Sequence, residues 1–263
     1  MATSDAPVTV SRVALTVRDL AQVGDFYQRV IGLDPISGDA ETLRLGQGDL
    51  PLVELRRDKA ARSHPQEAGL FHTAFLLPSR EDLGRWLRYA ADTGVRLDGA
   101  GDHLVSEALY LTDPEGNGVE IYADRPREMW DTDGTIVRMD TLGMDLNELA
   151  SAPGAWKGVP DGSVVGHVHL QVGDIPAAEA FYQGRLGLDL SSKLHGASFF
   201  ATGGYHHHLA TNTWNSLGAG PRSPGSAGLA EVVLAVDPDR LAAADEGHFV
   251  DPWGNRITMG PKA

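Results

Sequence analysis

Ten histidines, 36 carboxylates and no cysteine bound the chemistry open to this chain of 263 residues. Without a thiol there is no disulfide, no thiolate ligand and no cysteine nucleophile. A bound metal would therefore be held by nitrogen and oxygen, and imidazole also serves as acid or base near neutral pH. The candidate residues stand in recognisable surroundings. His72 ends the run Gly69-Leu-Phe-His72, and His167 and His169 sit in His167-Val-His-Leu. Glu120 follows Asp113-Pro-Glu-Gly-Asn117; Tyr110 lies ten residues before it, and His103 seven before Tyr110. Gly203-Gly-Tyr leads directly into His206, His207 and His208. His64, His195 and His248 have no register with these groups and read as surface.

The elements that position these residues come from an internal repeat. Arg12-Val-Ala-Leu-Thr-Val-Arg-Asp19, with Phe26-Tyr-Gln and Gly32-Leu-Asp34, recurs as His167-Val-His-Leu-Gln-Val-Gly-Asp174, with Phe181-Tyr-Gln and Gly187-Leu-Asp189. The offset is 155 residues (167 − 12), with ten identities in 23 positions. Val13, Leu15 and Val17 alternate as a half-buried strand does. Asp19 and Asp174 stand where a helix N-cap is wanted, and Gly32 and Gly187 where the helix ends and the chain turns. Strands follow, such as Thr42–Leu45, Leu52–Leu55 and Ala197–Thr202.

A second pair is fainter. Gly69-Leu-Phe-His72 matches Gly228-Leu-Ala-Glu231, and Asp113-Pro-Glu-Gly-Asn117 matches Asp251-Pro-Trp-Gly-Asn255. A D-P-x-G-N segment reverses the chain between strands, here into Val119–Tyr122 and Ile257–Met259. Four βαβββ modules result, 10–57, 68–124, 163–214 and 226–261, the last abbreviated in its helix and middle strands. They fall into a first half, 1–124, and a second, 163–263. Between them lies a polar connector, 125–162, with one short helix at Asp145–Ala150. The stretch 215–227, rich in Gly, Pro and Ser, reads as a surface loop.

The net charge of −14 argues against nucleic acid or an anionic membrane as partner. No run of about 18 apolar residues could span a bilayer. Met1–Pro7 lacks the basic start and apolar run of a secretory signal, so a soluble cytoplasmic protein is expected.

Strand–helix–strand modules carrying D-x-x-x-x-x-x-F-Y and D-P-x-G-N resemble the vicinal oxygen chelate superfamily, which includes glyoxalase I, bleomycin- and fosfomycin-resistance proteins and type I extradiol dioxygenases. The resemblance covers nearly the whole chain. It implies an α+β fold of four modules forming two curved mixed-sheet barrels. It also implies metal ligands on the first strand of a module and on the strand after D-P-x-G-N. Those positions hold Arg12, His72, His167 and Glu231 on first strands, and Glu120 and Thr258 after the turns. His72, Glu120 and His167 then form a His/His/Glu triad, with His169 as the rival of His167. Modules two and three would close around it, and one and four around each other. Arg12 and Glu231 are expected to face each other as an ion pair in a site that has lost its metal.

Further features are similar to a two-barrel subgroup of catechol 2,3-dioxygenase type. A tyrosine ten residues before the ligand glutamate corresponds to Tyr110, with His103 nearby, and the last strand of the module giving the first ligand carries further histidines. The resemblance implies an Fe(II)-dependent extradiol ring cleavage, with Mn(II) as substitute metal, a small aromatic diol and O2 as reactants, and oligomeric state left open. His206 or His208 would be the acid–base residue, since alternate strand residues share a face, with His103 assisting and Tyr110 holding the substrate oxygen. Tyr110 has an alternative reading as core, Glu120 as an edge-strand charge and the histidine run as a polar strand end; Trp214 reads as packing. The other functional readings are a glyoxalase-like metal-dependent lyase or isomerase, and a non-catalytic protein that sequesters a small aromatic molecule.

Overall fold

The computed structural model describes residues 5–241 and 247–262. In chain order the first segment is β1 (Val8–Val17), α1 (Leu20–Phe26), β2 (Asp34–Gly38), β3 (Thr42–Gln47) and β4 (Leu50–Arg57). The second is β5 (Gly69–Leu76), α2 (Arg80–Thr93), β6 (Gly99–Asp102), β7 (Ser106–Thr112) and β8 (Gly118–Asp124). The connector holds the small strands β9 (Thr132–Asp133) and β10 (Ile136–Val137) and the helix α3 (Leu146–Ala150). Then come β11 (Val164–Gln171), α4 (Ile175–Gly184), β12 (Asp189–Leu194), β13 (Ala197–Ala201) and β14 (Leu209–Asn212). The last are β15 (Gly228–Val236), α5 (Pro238–Leu241), β16 (Gly247–Val250) and β17 (Arg256–Pro261). Part of the segment expected to be abbreviated in the fourth module, 242–246, lies outside the described residues.

Apart from the small β9–β10 pair, the strands form two mixed sheets, and each takes strands from both halves of the chain. One runs β16-β17-β15-β1-β4-β3-β2, the other β12-β13-β14-β11-β5-β8-β7-β6. The pairing is thus first segment with last and second with third, as the ligand positions required. The central seams, β1 with β15 and β11 with β5, are antiparallel. They share one register: Ala14 faces Glu231 where His169 faces His72. Flanking parallel pairs repeat too, with Val233 beside Thr258 and Ala74 beside Glu120. Among the described residues no helix is long and apolar enough to cross a membrane.

Local chemistry accounts for these elements. Asp19 and Asp174 cap their helices by accepting from the Gln22 and Ala177 amides, which satisfies otherwise orphaned donors. Alternation in β1 changes phase at a bulge between Val10 and Arg12, so Val8 and Val10 are buried before it and Val13, Leu15 and Val17 after it. The same bulge recurs 155 residues on, between Val165 and His167. Bulges re-aim side chains; here Val165, Val168 and Leu170 join the core while His167 and His169 turn to the other face.

The two D-P-x-G-N turns are built alike. Each buried aspartate accepts from two amides of its turn and from the asparagine side chain: Glu115, Asn117 and Asn117 Nδ2 on Asp113, and Trp253, Asn255 and Asn255 Nδ2 on Asp251. Tyr182 of the F-Y pair donates to Asp251 at 3.0 Å, which ties α4 to the last turn. One contiguous cluster of apolar side chains takes residues from both sheets and from α1, α2 and α4. The polar connector also supplies buried apolar side chains. Trp130, Val137 and Met139 pack against Phe199 and Tyr205, and the Leu149 carbonyl sits against Gly84 of α2.

Gly118 sets the approach of β8 to β5. A Cβ there would lie 2.1 Å from the Phe71 carbonyl oxygen, directly beside His72. Gly118→Ala is expected to cost about 1–3 kcal/mol through strand displacement and to weaken metal binding in parallel. Urea midpoints and a metal titration check both; a variant with wild-type values in each removes the close-approach explanation.

Candidate metal centre

Three neighbouring strands, β8, β5 and β11, bring His72, Glu120 and His167 together on one face. Glu120 and His167 both register with Ala74 of the central strand, whose small side chain leaves the space above it open. The Glu120 carboxylate lies 3.0 Å from His72 Nε2 and 3.2 Å from His167 Nε2. All three residues are buried, and one ligand atom from each lies within 4.8 Å of the others. Donor atoms in adjacent corners around a cation at about 2.1 Å stand about 3 Å apart, so this spacing fits one face of a metal's coordination shell. The chemistry fits as well. His72 Nε2 is sealed from solvent without an oriented hydrogen bond, a cost that a cation would relieve. His169, the rival of His167, lines the cavity beside His72 but stands outside the triad.

Burial holds the His167 imidazole down at about 4, outweighing the pull of the Glu120 charge, so its lone pair is free at neutral pH. Burial opposes the charge of Glu120, but the flanking His167 and His72 keep its carboxyl well below the usual range. The His167 ring is held by tilted ring contacts with His207 at 4.0 Å and Tyr122 at 4.8 Å rather than by a bond to Nδ1.

The triad opens into a cavity of about 300 Å³. Its walls include Phe71, Val105, Met139, Leu194, Phe199 and Trp214, and among the described residues no lysine or arginine lines it. Trp214, expected to be packing, stands half exposed on this wall in edge contact with Phe71 and His169. Asp140 and Thr141 of the connector complete the rim. Nothing in the periodicity of 125–162 signalled that role.

Tyr110 and His103, seven residues apart in sequence, meet at the rim with Oη and Nε2 2.6 Å apart. His103 Nδ1 lies 2.9 Å from the Asp140 carbonyl, which can only accept, so Nδ1 carries the proton. In the neutral ring Nε2 is then the acceptor and Tyr110 the donor. Burial first, and then the Glu120 charge, push the Tyr110 phenol up, so it stays protonated.

The histidine run requires a correction. His207 lines the cavity, whereas His206 and His208, expected to point into it, are wholly buried away from it. Strand alternation does not apply, because β13 ends at Ala201 and β14 begins at Leu209. Between them Gly203 and Gly204 adopt positive φ of 63° and 68°, which turns the chain. The paired glycines were the signal that could have warned of this. His208 stacks on Tyr205, and burial lowers its pKa to about 3.

The equivalent position in the other sheet differs from expectation as well. Arg12 does not pair with Glu231; its Nε lies 3.7 Å from Glu54. Glu231 is held by Arg56 at 2.9 Å and by the Thr258 hydroxyl, and Arg44 and Arg56 also clamp Glu54 at 2.8 and 2.7 Å. Register sets which backbones are neighbours, but long arginine arms choose partners across them.

Comparison with known proteins agrees with this geometry. The family profile of the Glyoxalase/Bleomycin resistance protein/Dioxygenase superfamily matches residues 9–121 and 164–249. A catechol-2,3-dioxygenase of Bacillus subtilis strain 168 is 39% identical over 224 residues, covering 82% of this chain and 78% of that protein. A crystal structure of a Bacillus subtilis protein described as a candidate dioxygenase shares the fold at a TM-score of 0.63 and 15% identity, covering 97% of this chain and 86% of that one. Glyoxalase I from Zea mays superposes at a TM-score of 0.57 with 16% identity, covering 97% and 92%.

The buried imidazoles set a pH dependence for the metal-free protein. His167 and His208, at about 4 and about 3, stay neutral in the native state, whereas unfolded imidazole protonates near pH 6.5. The unfolded state therefore binds more protons as pH falls through 6.5, and stability present above that value is lost. Each such imidazole contributes about 2 kcal/mol of loss between pH 6.5 and 5. Urea unfolding at a series of pH values is expected to show this slope, with a shallower one in His208→Leu; an unchanged slope in that variant would discharge His208 from the effect.

Proposed function

The chain belongs to the glyoxalase/bleomycin resistance protein/dioxygenase superfamily, and on that premise we propose that it is an Fe(II)-dependent extradiol dioxygenase cleaving a catechol-like aromatic diol. The observation that carries this reading is the convergence of two imidazoles and one carboxylate at the floor of an apolar cavity that also presents His207 and Tyr110. The 39% identity to a catechol-2,3-dioxygenase supports it. The same reading takes the chain as four βαβββ repeats forming two curved barrels, with halves 1–124 and 163–263 joined by 125–162, in a cytoplasmic enzyme.

His72, Glu120 and His167 would hold the metal. Bound there, Fe(II), or Mn(II) in its place, supplies Lewis acidity towards the two diol oxygens and electron-transfer chemistry towards O2. The protein's own groups do the rest. Phe71, Phe199 and Trp214 exclude water and orient the ring. His207, rather than His206 or His208, is the acid–base residue: its ring reaches the cavity and its pKa is driven well down by burial and by His167 and His206, so it enters the reaction unprotonated. It takes a proton from a diol hydroxyl and later returns one. Tyr110, kept protonated and donating to His103 at the rim, orients a substrate hydroxyl through its oxygen lone pairs. Cleavage of the ring bond beside the diol, with both atoms of O2 incorporated, gives a semialdehyde acid.

The test is oxygen uptake by anaerobically prepared, Fe(II)-loaded protein with catechol, read beside the rise of the yellow ring-opened product. One O2 per catechol is expected. His167→Ala should lose metal and activity together. His207→Ala should keep the metal and lose about 10²-fold or more in kcat. Bound metal without oxygen uptake on any of several catechols would move the assignment to a lyase or isomerase of the same fold, and absence of metal affinity to a sequestering protein.

The lining also constrains the substrate. With no lysine or arginine on the wall among the described residues, a carboxylate on the ring would be desolvated without a side-chain partner. Alkyl catechols are expected to exceed a carboxymethyl catechol in kcat/KM by about tenfold or more. Equal values would refute an uncharged ring as the preferred substrate.

A further inference from the structure

We infer that Asp124 and His206 form a positioning pair behind His207, holding its imidazole in the tautomer that turns an unprotonated Nε2 into the cavity. The inference rests on the role given to His207 above. Asp124 ends β8, four residues after Glu120 on the same strand face. His206 Nε2 lies 3.0 Å from Asp124 Oδ1, and a carboxylate oxygen only accepts, so Nε2 carries the hydrogen. In that tautomer of the His206 ring, only a lone pair is left at Nδ1. That atom lies 2.7 Å from His207 Nδ1, so His207 donates there. The His207 nitrogen left for the cavity is Nε2, without its hydrogen.

The pair is itself held by directed bonds. Tyr205 Oη donates to Asp124 Oδ2 at 3.1 Å, which leaves the Tyr205 oxygen to accept from Tyr122 Oη at 2.8 Å. Tyr122 in turn packs its ring on His167. Two local features make room for this chain. Gly166, inside the β11 bulge, lacks the Cβ that would stand 1.8 Å from Tyr122 Oη. The Gly203-Gly204 turn lets adjacent imidazoles diverge, one inward to Asp124 and one to the cavity. Trp130 of the connector lies against the His206 ring at 5.3 Å, and the His206 side chain is wholly shielded from water.

A buried histidine bonded to an aspartate is commonly no more than a satisfied polar group. This one differs in where its bonds lead: they run from a carboxylate through one imidazole to a second imidazole on the cavity wall. A carboxylate that orients a neighbouring base acts through tautomer and direction, without touching the substrate. Asp124 and His206 are therefore positioning residues.

The test reads the tautomer directly. Long-range 1H–15N correlation on the full chain loaded with diamagnetic zinc is expected to show His207 protonated at Nδ1 and bare at Nε2. His206→Phe, which keeps a ring in place, should abolish that preference. In the Fe(II)-loaded enzyme it should lower kcat by at least about tenfold, with metal content and KM unchanged. Asp124→Asn should lower kcat in the same way and Asp124→Glu should restore part of it, so that a folding failure in one variant leaves the other. A wild-type His207 protonated at Nε2, or a kcat within twofold of wild type in the folded variants, would overturn the assignment. The two readings fail separately. The Nδ1–H tautomer without ring cleavage keeps the positioning pair and sinks the dioxygenase reading, whereas ring cleavage with the opposite tautomer does the reverse.

Discussion

The seam between β5 and β11 is the constraint on which the centre depends. It sets His72 opposite His169 and His167 opposite Ala74, joining residues almost a hundred positions apart in the chain. A slip of one residue along either strand would send its imidazoles into the apolar core and its valines into the cavity. The register is held from both faces: Val165, Val168 and Leu170 are buried in the core, and the bulge at Gly166 absorbs the phase change that brings His167 to the other side. Neither half of the chain could build the site alone, because Glu120 and His72 come from one half and His167 and His207 from the other.

The environment gives these groups their character. A carboxylate taken out of water is costly unless partnered, and Glu120 has His72 and His167 on either side, which hold its carboxyl well below the usual range. Metal binding would complete the site and raise stability together. The apolar walls and the shielded His206–Asp124 contact extend the same logic outward from the triad: where water is excluded, a few directed hydrogen bonds decide which nitrogen carries a proton.

The other sheet shows how little of this follows from the backbone. Its seam repeats the register, with Glu231 in the place of His72 and Thr258 in that of Glu120. Yet that face carries an arginine–glutamate network, Arg12, Arg44 and Arg56 around Glu54 and Glu231, in place of metal ligands. The same scaffold hosts a candidate metal site on one sheet and ion pairs on the other, so function here lies in side chains grafted onto a repeated frame.

Much of the centre was legible in the residues themselves. The 155-residue offset aligned His167 with Arg12, the paired D-P-x-G-N turns marked Glu120, and the poverty of ligands at Arg12 and Thr258 implied which segments close on each other. These are signals of backbone register, which periodicity and turn chemistry encode locally. Three things were settled only by tertiary structure. His207 rather than its neighbours reaches the cavity, because two glycines break the strand whose alternation would have pointed the other way. Met139, Asp140 and Thr141 reach the rim from a connector whose composition announces nothing. Arg12 finds Glu54 rather than Glu231, because where a flexible side chain ends depends on every charge within its reach, and that set exists only once distant segments have packed.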